Sequence, residues 1–453
     1  MLTGIPLVVL LVGAVAFIIV ATAKLDLHAF LTLLIAAYAT ALLGGIGPQS
    51  AANLVTEGFG DILAYIGIVI LAGTIIGTVL ERSGAAVVIA ESILDVVGEE
   101  YTEEVMAVTG SVVSIPVFCD SGFVILSGLN RALAERSKLS LSTLAVALAG
   151  GLYVTHVFVP PTPGPIAAAG ILGADIGLVM IAGIVISIPV TFVAAQWAQR
   201  VASRFHIDPN PERTVEEIKN EYGDLPSKGA SFAPLIVPIV LIAIGSIAAF
   251  PSADDPAYIT GPVQRWLLFV GDPAVALLAG AFVAFGIVPT YGSEIIDDWV
   301  SDGLKNAAVI LAVTGAGGAF GNVLGELPFQ DLVSNAFGGL GVGLLAAFVI
   351  AAALKTALGS STVAILTTAS LINPLLGTLG LAGELGRVFA VLAIGAGAMT
   401  VSHANDSYFW IITEFSDMET ATAYRAWTLA TLVLGVASIV WIIVVRNVTG
   451  MVF

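Results

Sequence analysis

Apolar residues in this chain run on without alternating. Mostly apolar stretches of about 20 positions recur from residue 4 to residue 446, separated by short polar turns. About twelve such runs are readable, near 4–23, 27–47, 62–80, 104–128, 141–158, 176–198, 232–250, 272–289, 306–325, 341–374, 387–403 and 424–446. A lipid-facing barrel strand alternates over about ten residues; these runs do not, so they predict helices. The first, "GIPLVVLLVGAVAFIIVATA", has no basic flank before it and reads as a retained helix, not a cleaved signal. The short segments 83–97, 164–175 and 328–340 are candidates for re-entrant turns, and each would change the number of crossings.

The pattern also repeats. "VTEGF" at 55–59 matches "VSDGL" at 300–304, and Gly73, Gly77, Val79 and Leu80 match Gly317, Gly321, Val323 and Leu324. "CDSGFVIL" at 119–126 aligns with "GSSTVAIL" at 359–366, and "VTH" ending at His156 with "VSH" ending at His403. All four matches fall in one order at offsets of 240 to 247 residues. The expected organisation is an N-terminal helix (1–25), repeat unit one (26–198), a cytoplasmic loop plus linking helix (199–271), repeat unit two (272–446) and a tail (447–453). Paired units with interrupted membrane segments are typical of secondary transporters, whose substrate site lies where the interruptions meet.

Composition agrees. Of 453 residues, 58% are hydrophobic and 11% charged, with a mean hydropathy of +1.01. A soluble domain carries about 25% charged residues. The chain therefore reads as an all-α polytopic protein of a cell membrane, with lipid as its neighbour. The net charge of −17 sits mostly in loops such as "GEEYTEE" and "SEIIDDWVSDG"; it disfavours nucleic acid as a partner and hints at a salt-adapted host. The longest polar loop, 198–231, carries Arg200, Arg204, Arg213, Lys219 and Lys228. Lysine and arginine content assigns it, with "NRALAERSKLS" at 130–140, to the cytoplasm. Cys119 is the lone cysteine and the four histidines are dispersed, so neither a disulfide nor a metal site is expected. His28 and His206 have no suggestive context.

Four interruptions carry the chemistry. The first, "SIPVFCDSGFVIL", places Asp120 in an apolar run. An intramembrane carboxylate points to function; the rival reading is an interfacial helix cap. The second, "THVFVPPTPGP", ends one helix with prolines and starts another near Gly164, so a helix N-terminus faces an anion at membrane depth. Thr155, His156 and Thr162 add polar groups there; the plain alternative is a loop at the membrane face. The third, "ALKTALGSSTVAIL", offers Ser360, Ser361 and Thr362 to a polyol or carboxylate. Lys355 is free to pair with a substrate carboxylate or with Asp120, or to snorkel toward a helix end. The fourth, "VSHANDSYFW", clusters His403, Asn405 and Asp406; either histidine alone would more often be a core residue.

At these interruptions the chain resembles the gluconate permease family of the ion transporter superfamily. "FCDSGF" stands for the family's "FFDxGF", "THVFVPPTPGP" for "THAFLPPHPGP", "GSSTVA" for "GSATVA", and "SHANDSYFW" for "SHxNDSGFW". The resemblance spans nearly the whole chain. It implies proton-coupled import of a small hydroxylated monocarboxylate such as gluconate, idonate, fructuronate, glycerate or D-serine. It also implies inverted repeats with re-entrant hairpins, and often a homodimer. On this reading the substrate-binding residues are Thr155, Thr162, Gly164, Lys355, Ser360, Ser361, Thr362 and Asn405. The proton carrier is among Asp120, His156, His403 and Asp406. No cofactor is implied beyond the proton motive force. Two departures fall in the expected pocket: Thr162 replaces a family histidine, and Lys355 replaces a residue that is commonly arginine, exchanging a bidentate fork for a point charge.

Three rivals are distinct. Sodium coupling through opened backbone carbonyls near Ser360 and Gly122 is one. A membrane hydrolase built on a histidine–aspartate pair would leave the repeat unexplained, and no metal-type H-x-x-x-H spacing or nucleophile elbow is present. A channel would not need proline-broken pairs.

Overall fold

The computed structural model describes residues 2–452 apart from residues 26, 212–213, 250–259, 289–292 and 329–342. Segment 328–340, a re-entrant candidate, lies almost wholly outside the described residues. Among those described, every regular element is helical. Leaving aside short helical turns, in chain order these are α1 (Ile5–Ala23), α2 (Ala29–Leu43), α3 (Pro48–Arg82), α4 (Ala85–Val97), α5 (Thr102–Val113), α6 (Cys119–Ser137), α7 (Leu141–Phe158), α8 (Pro163–Leu172) and α9 (Ile176–Arg200). There follow α10 (Val215–Glu221), α11 (Lys228–Ala249), α12 (Gly261–Val270), α13 (Pro273–Phe285), α14 (Ser293–Glu326), α15 (Gly343–Leu358), α16 (Ser361–Ile372), α17 (Glu384–Met399), α18 (Ser407–Phe415) and α19 (Leu429–Val452).

Among the described residues, seven helical stretches are long and apolar enough to cross a membrane, α7–α8 counting as one of them, or eight if the bent pair α12–α13 counts as a further span. The expected number of about twelve is not reproduced by this measure, for a physical reason. The runs 104–128 and 341–374 each read as one apolar stretch, yet each folds as two shorter helices around a break: α5/α6 and α15/α16. The pairs α7/α8 and α17/α18 are likewise interrupted.

Long side chains on the outside are apolar. Ile5, Ile188, Phe192, Phe282 and Val349 are more than half exposed, as lipid-facing positions should be. The centre is α7, all of whose residues are buried. It reaches that depth because small residues let backbones touch: a Cβ on Gly151 would overlap the Ala107 carbonyl of α5, and one on Gly110 would press on the Leu148 carbonyl. The long helices α3 and α14 cross in the same way at Gly58 and Gly318. Prolines open α3, α8, α12 and α13 at positions where the missing N–H costs nothing.

Candidate functional site

All four breaks open into half-helices that start at the breaks: α6 at Cys119, α8 at Pro163, α16 at Ser361 and α18 at Ser407. Each start is a positive dipole end with unpaired N–H groups. These starts converge on α7. Tyr153 of α7 bonds Ser361 Oγ at 2.7 Å and packs its ring 5.4 Å from that of Tyr408 in α18. Phe123 of α6 packs edge-on against Tyr408, and Gly164 of α8 lies against Ile365 of α16.

A fully buried cation sits at this convergence. Lys355, in the last turn of α15, has no solvent exposure. Its Nζ donates to Asp406 Oδ2 at 2.6 Å and to the Gly359 carbonyl, and lies 5.7 Å from the centre of the Tyr153 ring. Asp406 is held from three directions. Ser402 Oγ donates to Oδ2 at 2.5 Å, and the Tyr408 N–H donates to Oδ1 at 3.1 Å, capping α18. Ser402 in turn accepts from Trp427 Nε1 at 3.0 Å. A charge removed from water survives only with such pairing.

Gly359 has φ +79°, and a Cβ there would overlap the Asn405 carbonyl. The third and fourth breaks therefore touch backbone to backbone. The Asn405 amide donates to the carbonyls of Thr356 (3.0 Å) and Ala357 (3.3 Å), and His403 Nε2 lies 2.9 Å from Thr356 O. Both residues fasten break four to the open C-terminal carbonyls of α15.

The remaining candidates divide. Asp120, in the first turn of α6, is part-buried and within electrostatic reach of Asp406 and Lys355. Its one polar side-chain neighbour among the described contacts is the weak donor Cys119 Sγ, at 3.8 Å. His156 is buried with Nδ1 unpartnered, edge-on to Phe118 and within reach of the same ion pair. It lies inside α7, whereas His403 lies in the break after α17, so the repeat-matched histidines are not equivalent in structure. Ser360 is exposed and caps α16 through Val363 N; Ser361 faces Tyr153; Thr362 is part-buried beside them. Thr162 is buried with its hydroxyl donated to Val159 O at 2.6 Å. Gly164 carries the one free N–H of the α8 start, since Pro163 and Pro165 have none and Ile166 N bonds Thr162 O. Thr155 borders a separate cavity of about 290 Å3 with Ser111, Ser187 and Thr191, and its buried hydroxyl has no hydrogen-bond partner among the described residues. Tyr153, Ser402 and Trp427 also hold the centre together, although the sequence reading did not single them out, Ser402 included despite its place in the fourth break beside His403.

Nearly the whole chain matches a family model. From residue 5 to residue 448 it fits the GntP family permease description. The chain belongs to the GntP permease family. The permease is 36% identical over 422 residues to an uncharacterized permease of Haemophilus influenzae, covering 90% of this chain and 85% of that one. It is 31% identical over 440 residues to a gluconate permease of Pseudomonas aeruginosa, covering 94% of each. Its fold is that of the YdaH transporter of Alcanivorax borkumensis, with a TM-score of 0.67 at 14% identity, over 93% of this chain and 99% of that one. The permease is thus a transporter, not an enzyme, and a multi-pass protein of the plasma membrane.

Proposed function

We propose that the permease imports gluconate or a related small hydroxylated monocarboxylate together with a proton. The observation that carries this reading is the fully buried Lys355, balanced by one carboxylate, where four half-helices begin. Such a centre offers an anion a cation, dipole ends and hydroxyls at once. Lys355 and the α16 start meet the substrate carboxylate, while Ser360, Ser361, Thr362 and Asn405 face its hydroxyls. The relative from Pseudomonas aeruginosa, named for gluconate, supports the substrate class. The two units, 26–198 and 272–446, supply matched halves of the path; the order of broken hairpin, broken helix and long helix in α5–α9 recurs in α15–α19.

Charge counting supports the proton. Lys355 and Asp406 cancel, so without substrate the centre would carry the charge of Asp120 alone. Adding a monoanion places two uncompensated negative charges in a low-dielectric site, which is costly. Moving that anion inward also works against the membrane potential, at about 2.3 kcal/mol per charge per 100 mV. One proton on Asp120 relieves both. Asp120 suits the task because no cation among the described residues is bonded to it, whereas Asp406 is committed to Lys355. The test separates coupling from binding. In proteoliposomes Asp120→Asn should lose accumulation driven by a pH gradient yet retain gluconate counterflow. Full gradient-driven accumulation by Asp120→Asn would overturn the assignment. Replacing sodium by choline at fixed pH tests the sodium alternative, and competition by idonate, glycerate, fructuronate and D-serine fixes the substrate.

A further inference from the structure

The two pairs of half-helices around the centre are packed differently. α8 and α16, which start at the second and third breaks, seal against each other: Gly164 meets Ile365, and nearly every residue of both is buried. At their far end lies a small cavity of about 190 Å3 that includes Asp61, Gly170 and Asn373. At this end the Arg387 guanidinium donates to Gly173 O at 3.1 Å.

α6 and α18, which start at the first and fourth breaks, touch at Phe123 and Tyr408 but part beyond that contact. Between them, floored by α10, is a groove of about 630 Å3, lined by Val124, Ser127, Gly128 and Arg131 of α6 and by Glu414 and Asp417 at the end of α18. Its volume lies within the ~300–1,000 Å3 typical of small-molecule sites. Asp120, Val124, Ser127 and Arg131 fall on one face of α6 at helical spacing, so the stripe runs from the centre to the mouth over about 16 Å, at about 1.5 Å per residue. At the inner end of the stripe Asp120 is part-exposed, and across the centre from it Ser360, Asn405 and Ser407 are exposed. At the mouth Arg131 donates to Asp417 Oδ2 at 2.7 Å, to Phe415 O at 2.9 Å and to Pro209 O at 3.1 Å. It thereby ties α6, the end of α18 and the polar loop together. That loop lies on the face assigned to the cytoplasm by its lysines and arginines.

We propose that the groove between α6 and α18 is the cytoplasmic passage of the transported anion, and that the structure is the state open to that side. The closed pair α8–α16 is then the matching passage to the opposite face. This inference rests on the transport reading above for what passes through the groove, but the groove's connection to the centre can be tested without any substrate.

Replacing Cys119 by alanine removes the lone thiol, and Ser127→Cys then places one in the groove wall. In inside-out vesicles a charged, membrane-impermeant methanethiosulfonate should modify Ser127→Cys, and Ile171→Cys beside the smaller cavity at least tenfold more slowly. Modification at position 127 occurs after folding, and it should cut gluconate flux at least tenfold. Unchanged flux in the modified protein, or equal labelling of the two cysteines, would overturn the proposal. A second measurement carries no substrate. With a single cysteine at Ser360, labelling from the cytoplasmic face should slow at least tenfold when Ser127→Trp fills the groove; an unchanged rate shows that the centre is reached another way. If unmodified permease carries no gluconate but Ser127→Trp still shields position 360, the passage stands and the substrate reading falls.

Discussion

Replacing Lys355 by methionine keeps much of the side chain's length and removes its charge. Lys355 has no exposed surface and the Asp406 side chain is 6% exposed, so water cannot fill the place of the ammonium. Asp406 keeps the Ser402 hydroxyl and the Tyr408 N–H but loses its only cation among the described contacts. A buried carboxylate stripped of its partner costs about 3–5 kcal/mol. Proton uptake sets a ceiling: neutralising an ordinary aspartate at pH 7, about three units above its usual value, costs about 4 kcal/mol. At pH 5 the same ceiling is about 1.5 kcal/mol. Lys355→Met should therefore lose about 3–4 kcal/mol at pH 7 and about 1.5 kcal/mol at pH 5. The double variant Lys355→Met/Asp406→Asn should recover most of the pH 7 loss, because the amide oxygen still caps α18 and no charge is stranded. The assay is unfolding in mixed detergent micelles at both pH values, with all four members of the mutant cycle. A single variant as stable as wild type at pH 7, or a double variant no better than the single, refutes the reasoning that this pair is a mutually dependent buried charge pair.

Other outcomes follow from the same contacts. Gly359→Ala should abolish transport and lower the thermal midpoint in detergent, since the position needs φ +79° and its Cβ would strike the Asn405 carbonyl. Gly151→Ala should destabilise the fold more than any exposed substitution, because α5 leaves no room for a methyl; a midpoint unchanged from wild type would contradict the α5–α7 packing. Tyr153→Phe removes the 2.7 Å bond to Ser361 and should cost about 1 kcal/mol of stability, with KM for uptake rising more than maximal rate falls. Lys228→Gln breaks an ion pair at 2.6 Å in which both side chains are 62% exposed, and should leave uptake and unfolding as they are.

Much of this was legible from residue types. Proline, glycine and clustered hydroxyls interrupt apolar runs, and the interruptions at 114–118, 159–162, 359–360 and 400–406 fall where the structure ends one helix and starts another. What the sequence left open was which polar groups meet. Lys355 had Asp120 or a substrate as expected partners; it pairs with Asp406, 51 residues away, because breaks three and four touch at Gly359 and Asn405. No local pattern encodes that contact. Thr155 and His156 are neighbours in sequence, but one step along a helix turns about 100°, and the threonine borders another cavity. Tyr153, Ser402 and Trp427 were missed because their role appears only once α7, break four and the helical turn just before α19 are brought together. The crossing count suffered from the same limit: hydropathy registers a hairpin such as 341–374 as one continuous run.

The central claim is that a buried, neutral ion pair receives an organic anion only with a compensating proton. The direct measurement is simultaneous uptake of gluconate and protons into proteoliposomes holding the purified permease, with the membrane potential clamped at zero and sodium absent. The account predicts that an inward proton gradient drives gluconate above equilibrium, that interior acidification accompanies it in fixed ratio, and that Asp120→Asn abolishes both while retaining counterflow. Gluconate accumulation that proceeds without proton entry, or that requires sodium, would contradict it.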